Sequence, residues 1–321
     1  MTEIIKYENG LLPQAFNEAD LIEQFLFETQ EVKDSTKNRY RKSLKKYFGW
    51  LAENKLNVKE VVLPDILRYK QWLKDIIMED QTHLSNITVG SYLTVVRLFY
   101  SWANSRGFPY NPASTLRSPK KNAKYGKKPI PPADMERLFA YFKEKADKDN
   151  SSRDYTIAKT LYYCGMRCME LCGSNYSDIK MKDDVRVIFV KGKGRESKNE
   201  WIPMTDEVYG LIVNLAKERN IEPEGDVAIF VSFNPINPGT RLVPESVSRI
   251  IKKGLMAINL GGRDFSAHSM RHSAGTNLTD GGASIERVQH FLRHKNSQTS
   301  EGYAKEALDR KRLKDDITKL L

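Results

Sequence analysis

The chain has 321 residues, and 52 lysines and arginines against 41 acidic residues give a net charge of +11. The length fits two ordinary domains, and a hydrophobic content of 40% excludes disorder along most of the chain. The positive charge favours a polyanionic partner, and nucleic acid is favoured over a membrane because no segment approaches the roughly 18 apolar residues of a spanning helix. The first residues do not resemble a signal peptide, so we expect a cytoplasmic protein.

The first third of the chain shows only helical periodicity. Helices are predicted over about 19–30, 36–51, 64–77 and 88–104. Together they would form a small all-α domain over residues 1–117. The second helix carries more cations than it can pair within itself, which predicts a surface that contacts DNA; an ordinary solvated face is the alternative. These cations are Lys37, Arg39, Arg41, Lys42, Lys45 and Lys46.

A basic segment rich in proline, residues 118–132, follows this helical region. Its prolines disfavour regular hydrogen bonding and its lysines keep it solvated, so it is predicted to be an interdomain linker. Lys120 and Lys121 in this segment are further candidates for DNA contacts, with a merely solvated connector as the alternative.

Residues 133–321 mix helices with a few strands. Pro131 and Pro132 open a helix, and one continuous helix is predicted through "DYTIAKTLYYCGMRCMELC". Two strands, "VRVIFV" and "EWIPM", flank the turn "KGKGRESKN". Further helices are predicted over about 206–219, 244–257, 270–280, 284–292 and 297–318. The fold class is therefore mainly α with a small β-sheet (α+β).

Cysteines and histidines raise the question of a metal site. Cys164, Cys168 and Cys172 would share one helix face, and we interpret them as free thiols beside the core because they lack the spacing of a zinc motif. Histidines occur in two pairs with i,i+4 spacing, His268 with His272 and His290 with His294. Arginines lie beside both pairs, which favours an oxyanion over a metal ion. We expect no metal and no cofactor.

The order of chemical groups along the second domain is more specific. Arg167 is followed by hairpin lysines, the segment "HSMRH", the histidine of "FLRH" and then Tyr303. This order resembles the tyrosine recombinases, also called the phage integrase family. The resemblance implies a SAM-like helical core-binding domain before the linker and a mixed α/β catalytic domain after it.

The resemblance assigns roles residue by residue. Tyr303 would be the nucleophile and Glu170 an acid that supports the first arginine. The implied catalytic set is Arg167, Lys193, His268, Arg271, His294 and Tyr303. Lys191 and Lys198 compete with Lys193 for the hairpin position, and Arg293 stands where the family usually has glycine. His272 is assigned to structure.

The chemistry of these groups agrees with the implied roles. A phenol has a pKa near ~10 and attacks a phosphate only when a neighbour accepts its proton or cations stabilise its anion. Two arginines can stabilise the charge on the phosphate oxygens without a metal. Lys193 would protonate the leaving 5′ oxygen, and His268 would act as base or proton relay. A 3′-phosphotyrosine retains the energy of the diester, so no nucleotide-binding loop is needed.

The family resemblance also implies partners. Family members recombine double-stranded DNA at specific sites as tetramers, through a Holliday junction. The tail, residues 304–321, would pack in trans against a neighbouring protomer, with docking in cis as the alternative.

Two other functions stay open at this stage: a type IB topoisomerase-like enzyme that relaxes DNA, and a catalytically inactive DNA-binding relative. About 18 residues precede the first helix, which favours a compact two-domain enzyme similar to Xer recombinases or mobile-element integrases. The target site and any accessory proteins stay open.

Overall fold

A computed structural model describes residues 17–29, 32–79, 81–116, 127–149, 151–192, 195 and 197–293. The chain divides into two compact units, Met1–Ala123 and Lys124–Leu321, and each unit has its own hydrophobic core. In the parts of the chain that the structure describes, no helix combines the length and the apolar character needed to cross a membrane.

The first unit contains the four predicted helices. They are α1 (Glu18–Glu28), α2 (Asp34–Glu53), α3 (Leu63–Asp75) and α4 (Asn86–Asn104). Side-chain caps fix two of the starts, because Asn17 and Ser85 accept backbone N–H groups from the first turns of α1 and α4. Aromatic side chains fill the core, and the hydroxyls of Tyr47 and Tyr100 lie 2.9 Å apart within it.

The second unit is mostly helical with a small sheet, as the sequence predicts. Its helices are α5 (Pro132–Asp149), α6 (Arg153–Tyr163), α7 (Cys168–Cys172), α8 (Asp206–Glu218), α9 (Pro244–Ala257), α10 (Ala267–Asp280) and α11 (Ile285–Leu292). The antiparallel strands β1 (Ile179–Lys182), β2 (Val185–Val190) and β3 (Glu200–Pro203) pair in the order β1-β2-β3.

Strand β1 was not predicted from the sequence. Its residues "IKMK" are mostly exposed and show no clear apolar alternation. A two-residue turn connects β1 to β2, with Asp183 and Asp184 at positive φ. Such turns match the twist of a hairpin, and aspartate tolerates them better than most residues. Ile188 at the centre of β2 pairs with Ile179 on one side and Ile202 on the other.

The prediction of one continuous helix through "DYTIAKTLYYCGMRCMELC" is wrong. Helix α6 ends at Tyr163 and α7 begins at Cys168, because Gly165 takes a left-handed conformation with φ of +54°. A Cβ at this position would lie 2.7 Å from a ring carbon of Phe291, so the close approach of that ring also requires glycine.

The break also corrects the prediction that the three cysteines share one helix face. Cys164 lies just after α6, whereas Cys168 and Cys172 are the ends of α7. Cys164 and Cys172 are buried in the core, Cys168 is half-buried, and all three are free thiols. The interpretation of the cysteines as free thiols beside the core is therefore supported by their burial and not by a shared helix face.

Helix α6 lies at the centre of this unit. It packs against α5, α8 and α10, and its residues Ile157, Ala158 and Leu161 are fully buried. Ile130, at the end of the predicted linker, is also buried, and its N–H donates to the hydroxyl of Ser273 on α10 at 2.7 Å. The packing of α6 on α10 brings the break after α6 close to the "HSMRH" segment.

Candidate active site

The α6–α7 break presents Arg167 as the residue that caps α7. Its backbone N–H donates to Oε2 of Glu170 at 2.8 Å, and its Nη1 donates to Oε1 of the same carboxylate at 2.5 Å. An acid three residues into a helix is well placed to reach back to the capping residue. Arg167 is thus held at the start of α7. The continuous helix predicted from the sequence would have placed it inside a helix.

Glu170 is a buried carboxylate with 4% of its surface exposed. Burial raises the pKa of Glu170, but Arg293, the backbone N–H and guanidinium of Arg167, and Arg271 together lower it below its ordinary value. Glu170 therefore stays ionised at neutral pH and acts as a fixed anion behind Arg167.

Helix α10 places His268 and Arg271 one turn apart on the same face, because a spacing of three residues brings side chains together. Arg271 is almost completely buried, with 1% exposed. Its guanidinium donates to the carbonyl oxygens of Gly165 and Leu292. The arginine of the "HSMRH" segment therefore lies against the break that positions Arg167.

His268 is exposed at the start of α10. Desolvation, followed by repulsion from Arg271, His272, Arg167 and Lys127, lowers the pKa of His268 below its ordinary value. The imidazole is therefore neutral at pH 7 and able to accept a proton.

Two of the three candidates for the catalytic hairpin lysine, Lys198 and Lys191, lie in different surroundings. Lys198 is half-buried, and its ammonium lies 2.5 Å from Oδ2 of Asp178. Asp178 in turn accepts the backbone N–H of Asn175 at 2.7 Å. Lys191 is exposed at the other end of the turn. Lys193 lies outside the described residues.

Other predicted site residues also lie outside the part of the chain that the structure describes. They are His294, Tyr303, Lys120 and Lys121, together with the predicted helix over 297–318. Their roles stay predictions.

Arg293 was not predicted as a site residue. It ends α11 in the left-handed conformation, with φ of 51° and ψ of 48°. Its guanidinium is largely buried and lies 2.7 Å from Oε2 of Glu170. The only sequence signal was an arginine where the family usually has glycine, and that signal did not indicate its contact.

The predicted DNA-contacting cations of α2 differ in their contacts and in their exposure. Arg41 is paired inside the unit, with its Nε and Nη2 at 2.6 and 2.7 Å from the two carboxylate oxygens of Glu23. Lys46 lies over the ring of Trp72, 5.3 Å from its centroid. Lys42 and Lys45 are exposed, and Lys42 and Arg39 line a groove between α2 and the start of α4.

Among residues 17–293 with their undescribed gaps left out, no group of three or more His, Cys, Asp or Glu side chains is placed to hold a metal ion. His290 instead contacts the ring of Trp201 edge-on, with centroids 5.5 Å apart.

Comparisons with known proteins agree with this arrangement. Residues 128–310 match the phage integrase family, and residues 22–107 match the N-terminal SAM-like domain of phage integrases. Tyrosine recombinase XerC of Corynebacterium glutamicum is 33% identical over 239 residues, which are 73% of this chain and 71% of that protein. Tyrosine recombinase XerD of Pseudomonas aeruginosa is 27% identical over 306 residues, 93% of this chain and 96% of its own.

A solved structure shows the same fold. The XerH site-specific recombinase, bound to its palindromic difH substrate, aligns with a TM-score of 0.71 at 17% identity and covers 99% of this chain and 90% of its own. The catalytic family match spans more than half of the chain, and the ion pair between Arg167 and the buried Glu170 lies inside it. The chain belongs to the phage integrase family and is a tyrosine recombinase, an enzyme of site-specific recombination that cuts and rejoins DNA strands through a tyrosine.

Proposed function

We propose that this recombinase acts on double-stranded DNA at specific sites through a 3′-phosphotyrosine at Tyr303. The observation that carries the proposal is the meeting of three elements: the start of α7 with Arg167, α10 with His268 and Arg271, and the end of α11. Two guanidinium groups and a neutral imidazole within one site suit a phosphate that gains negative charge during attack.

Each residue in the site has one role. Arg167 binds a non-bridging oxygen of the scissile phosphate, and Glu170 holds Arg167 in place. Arg271 binds a second oxygen by exchanging its contacts with the carbonyl oxygens of Gly165 and Leu292 for the phosphate. His268 accepts or relays the proton of the attacking phenol, which its lowered pKa permits at neutral pH. Lys193 protonates the leaving 5′ oxygen, and His294 donates a hydrogen bond to the phosphate.

The two units divide the work of binding. The N-terminal unit, residues 1–117, contacts the duplex with the exposed cations of α2, and the linker over 118–132 follows the backbone with Lys120 and Lys121. Residues 133–321 carry catalysis, with a C-terminal helix that docks in trans to build a tetramer. Relatives of the same fold support the DNA partner, because XerH is bound to its difH substrate and a lambda integrase dimer is bound to a COC′ core site.

We propose a compact recombinase of the type shared by Xer enzymes and mobile-element integrases, working in the cytoplasm. XerD matches 93% of this chain, and the Tn1549 transposon integrase in complex with circular intermediate DNA covers 90% of it with a TM-score of 0.65. Both comparisons therefore span the two units.

A two-site assay tests the function. A supercoiled plasmid that carries two copies of the target site is expected to give recombinant products and Holliday junctions with the wild-type enzyme. Relaxed plasmid without exchanged strands would instead favour the topoisomerase-like activity. Binding with neither product would favour an inactive relative.

The hairpin lysine can be identified by its leaving group. Lys193→Ala is expected to slow single-turnover cleavage by about 10²–10⁴-fold, because the 5′ alkoxide then leaves without a proton. A substrate with sulfur in the bridging 5′ position should restore the rate, since a thiolate leaves unprotonated.

Lys198→Ala is the matched control for this substitution. It removes a lysine from the same turn, but that lysine is bound to Asp178, so cleavage should stay near the wild-type rate. If Lys191→Ala or Lys198→Ala is the variant that sulfur rescues, the assignment of Lys193 is wrong.

A further inference from the structure

Arg293 occupies a backbone conformation that arginine does not favour. Its φ of 51° and ψ of 48° place it in the left-handed region at the end of α11. Glycine is the residue that most often ends helices in this conformation, since a Cβ is disfavoured there. A non-glycine residue in this region points to a requirement for its side chain.

The side chain of Arg293 is also buried, with 7% exposed. A buried guanidinium is unfavourable unless it is paired and hydrogen-bonded. Arg293 donates from Nη1 to the carbonyl of Phe291 at 2.9 Å and from Nη2 to Oε2 of Glu170 at 2.7 Å. Arg293 thus combines a disfavoured backbone conformation with a buried charged side chain. Both features accompany its contact with Glu170.

The contact between Arg293 and Glu170 controls how Arg167 is held. Oε1 of Glu170 accepts the guanidinium of Arg167, whereas Oε2 is occupied by Arg293 and by the backbone N–H of Arg167. An arginine and a carboxylate otherwise tend to form a two-pronged pair. Because Arg293 takes the second oxygen, Arg167 keeps one edge of its guanidinium for another anion.

The backbone of Arg293 adds a second restraint. Its carbonyl oxygen lies 3.4 Å from Nη2 of Arg167 and accepts a hydrogen bond from it. The orientation of Arg167 therefore depends on both the side chain and the main chain of Arg293.

Arg293 also faces the base of the lysine hairpin. Its Nε lies 3.7 Å from Oε2 of Glu200, the first residue of β3, a distance that allows an ion pair but is too long for a hydrogen bond. Glu200 lies against Gly192, where a Cβ would overlap its carboxylate, and its Oε1 is 3.6 Å from Nε of Arg195. Gly192 and Arg195 flank the segment that contains Lys193, so one guanidinium bridges the supports of two catalytic elements.

We propose that Arg293 is a positioning residue of the recombinase: by bridging Glu170 and Glu200, it holds Arg167 in place and links it to the base of the lysine hairpin. This inference rests on the roles proposed for Arg167 and Lys193. Arg293 replaces the small residue usual at this helix end with an ion-pair link between three parts of the active site.

Three substitutions separate positioning from packing. Arg293→Met keeps the length and the backbone strain but removes the charge. Arg293→Lys keeps the charge. Arg293→Gly removes the charge and relieves the backbone, so it should fold even if the methionine variant does not. Each variant is measured by single-turnover cleavage at saturating DNA, by DNA affinity and by thermal midpoint.

The Met and Gly variants are expected to cleave about 10–100-fold more slowly, because small misplacements of catalytic groups cost this much. DNA affinity should change less than about threefold, and Arg293→Lys should recover most of the rate. Arg293→Met combined with Glu170→Gln should lose less than the product of the two single losses, because part of the effect of Arg293 acts through Glu170.

Several results would overturn the inference. These are wild-type cleavage by Arg293→Gly, equal losses in the Lys and Met variants, or full additivity with Glu170→Gln. Cleavage lost in Arg167→Ala but retained in both the Met and Gly variants would reject the role of Arg293 alone. Cleavage that survives Arg167→Ala would reject the proposed function and this inference together.

Discussion

Tyr303→Phe is expected to reduce DNA cleavage by more than about 10³-fold, because the ring remains but the attacking oxygen is gone. A duplex with a nick near the scissile phosphate traps the cleaved state, since the short strand beyond the nick diffuses away. The wild-type enzyme should then accumulate a protein–DNA adduct that resists denaturant. The phenylalanine variant should bind the same duplex and form no adduct.

Tyr176→Phe is the matched control. Tyr176 lies in the buried core of the same unit, and burial raises its pKa above the ordinary value for tyrosine. Removal of this hydroxyl should leave adduct formation intact. An adduct at the wild-type level in Tyr303→Phe would exclude Tyr303 as the nucleophile.

Arg167→Ala is expected to slow cleavage by about 10²–10³-fold, which is the usual effect of removing one donor from a developing oxyanion. The guanidinium is partly exposed and held by Glu170, so it can reach an anion that approaches from solvent. Glu170 keeps Arg293 as a partner in the variant. The increase in the activation free energy of cleavage should therefore exceed the decrease in the free energy of unfolding.

Single-turnover cleavage of the same nicked duplex measures the effect of Arg167→Ala. Arg137→Ala is a suitable control because Arg137 is an exposed arginine on α5, paired with Asp134 one turn away. Such surface pairs contribute little. Equal rates for the two variants would remove Arg167 from the phosphate site. Arg167→Lys should be closer to alanine than to wild type, because lysine cannot offer a planar pair of donors.

The helical elements could be predicted from the sequence where periodicity and caps agree. The four helices of the first unit are present because apolar spacing and residues such as Ser85 mark them locally. The α6–α7 break could not be found in the same way, since apolar residues continue through it. Gly165 was the local signal, but its conformation is tied to a contact with Phe291, a residue far along the chain.

The active site also contains residues that local sequence signals identify and one residue that depends on a distant contact. Local motifs identified Arg167, Glu170, His268 and Arg271, and the structure brings these residues together. The role of Arg293 depends on a contact with Glu170 across 123 residues of sequence. An arginine where the family usually has glycine indicates a change at the helix end, but it does not identify the partner of the arginine. The partner of the new side chain becomes known only from the structure, in which Nη2 of Arg293 lies 2.7 Å from Oε2 of Glu170.

The position of the covalent bond tests the central claim most directly. The adduct formed on the nicked duplex is digested with protease and nuclease, and the peptide that carries a nucleotide is sequenced by mass spectrometry. A 3′-phosphate of the broken strand attached to Tyr303 is the predicted result. A nucleotide attached to another residue, or linked through the 5′ end of the break, would contradict it.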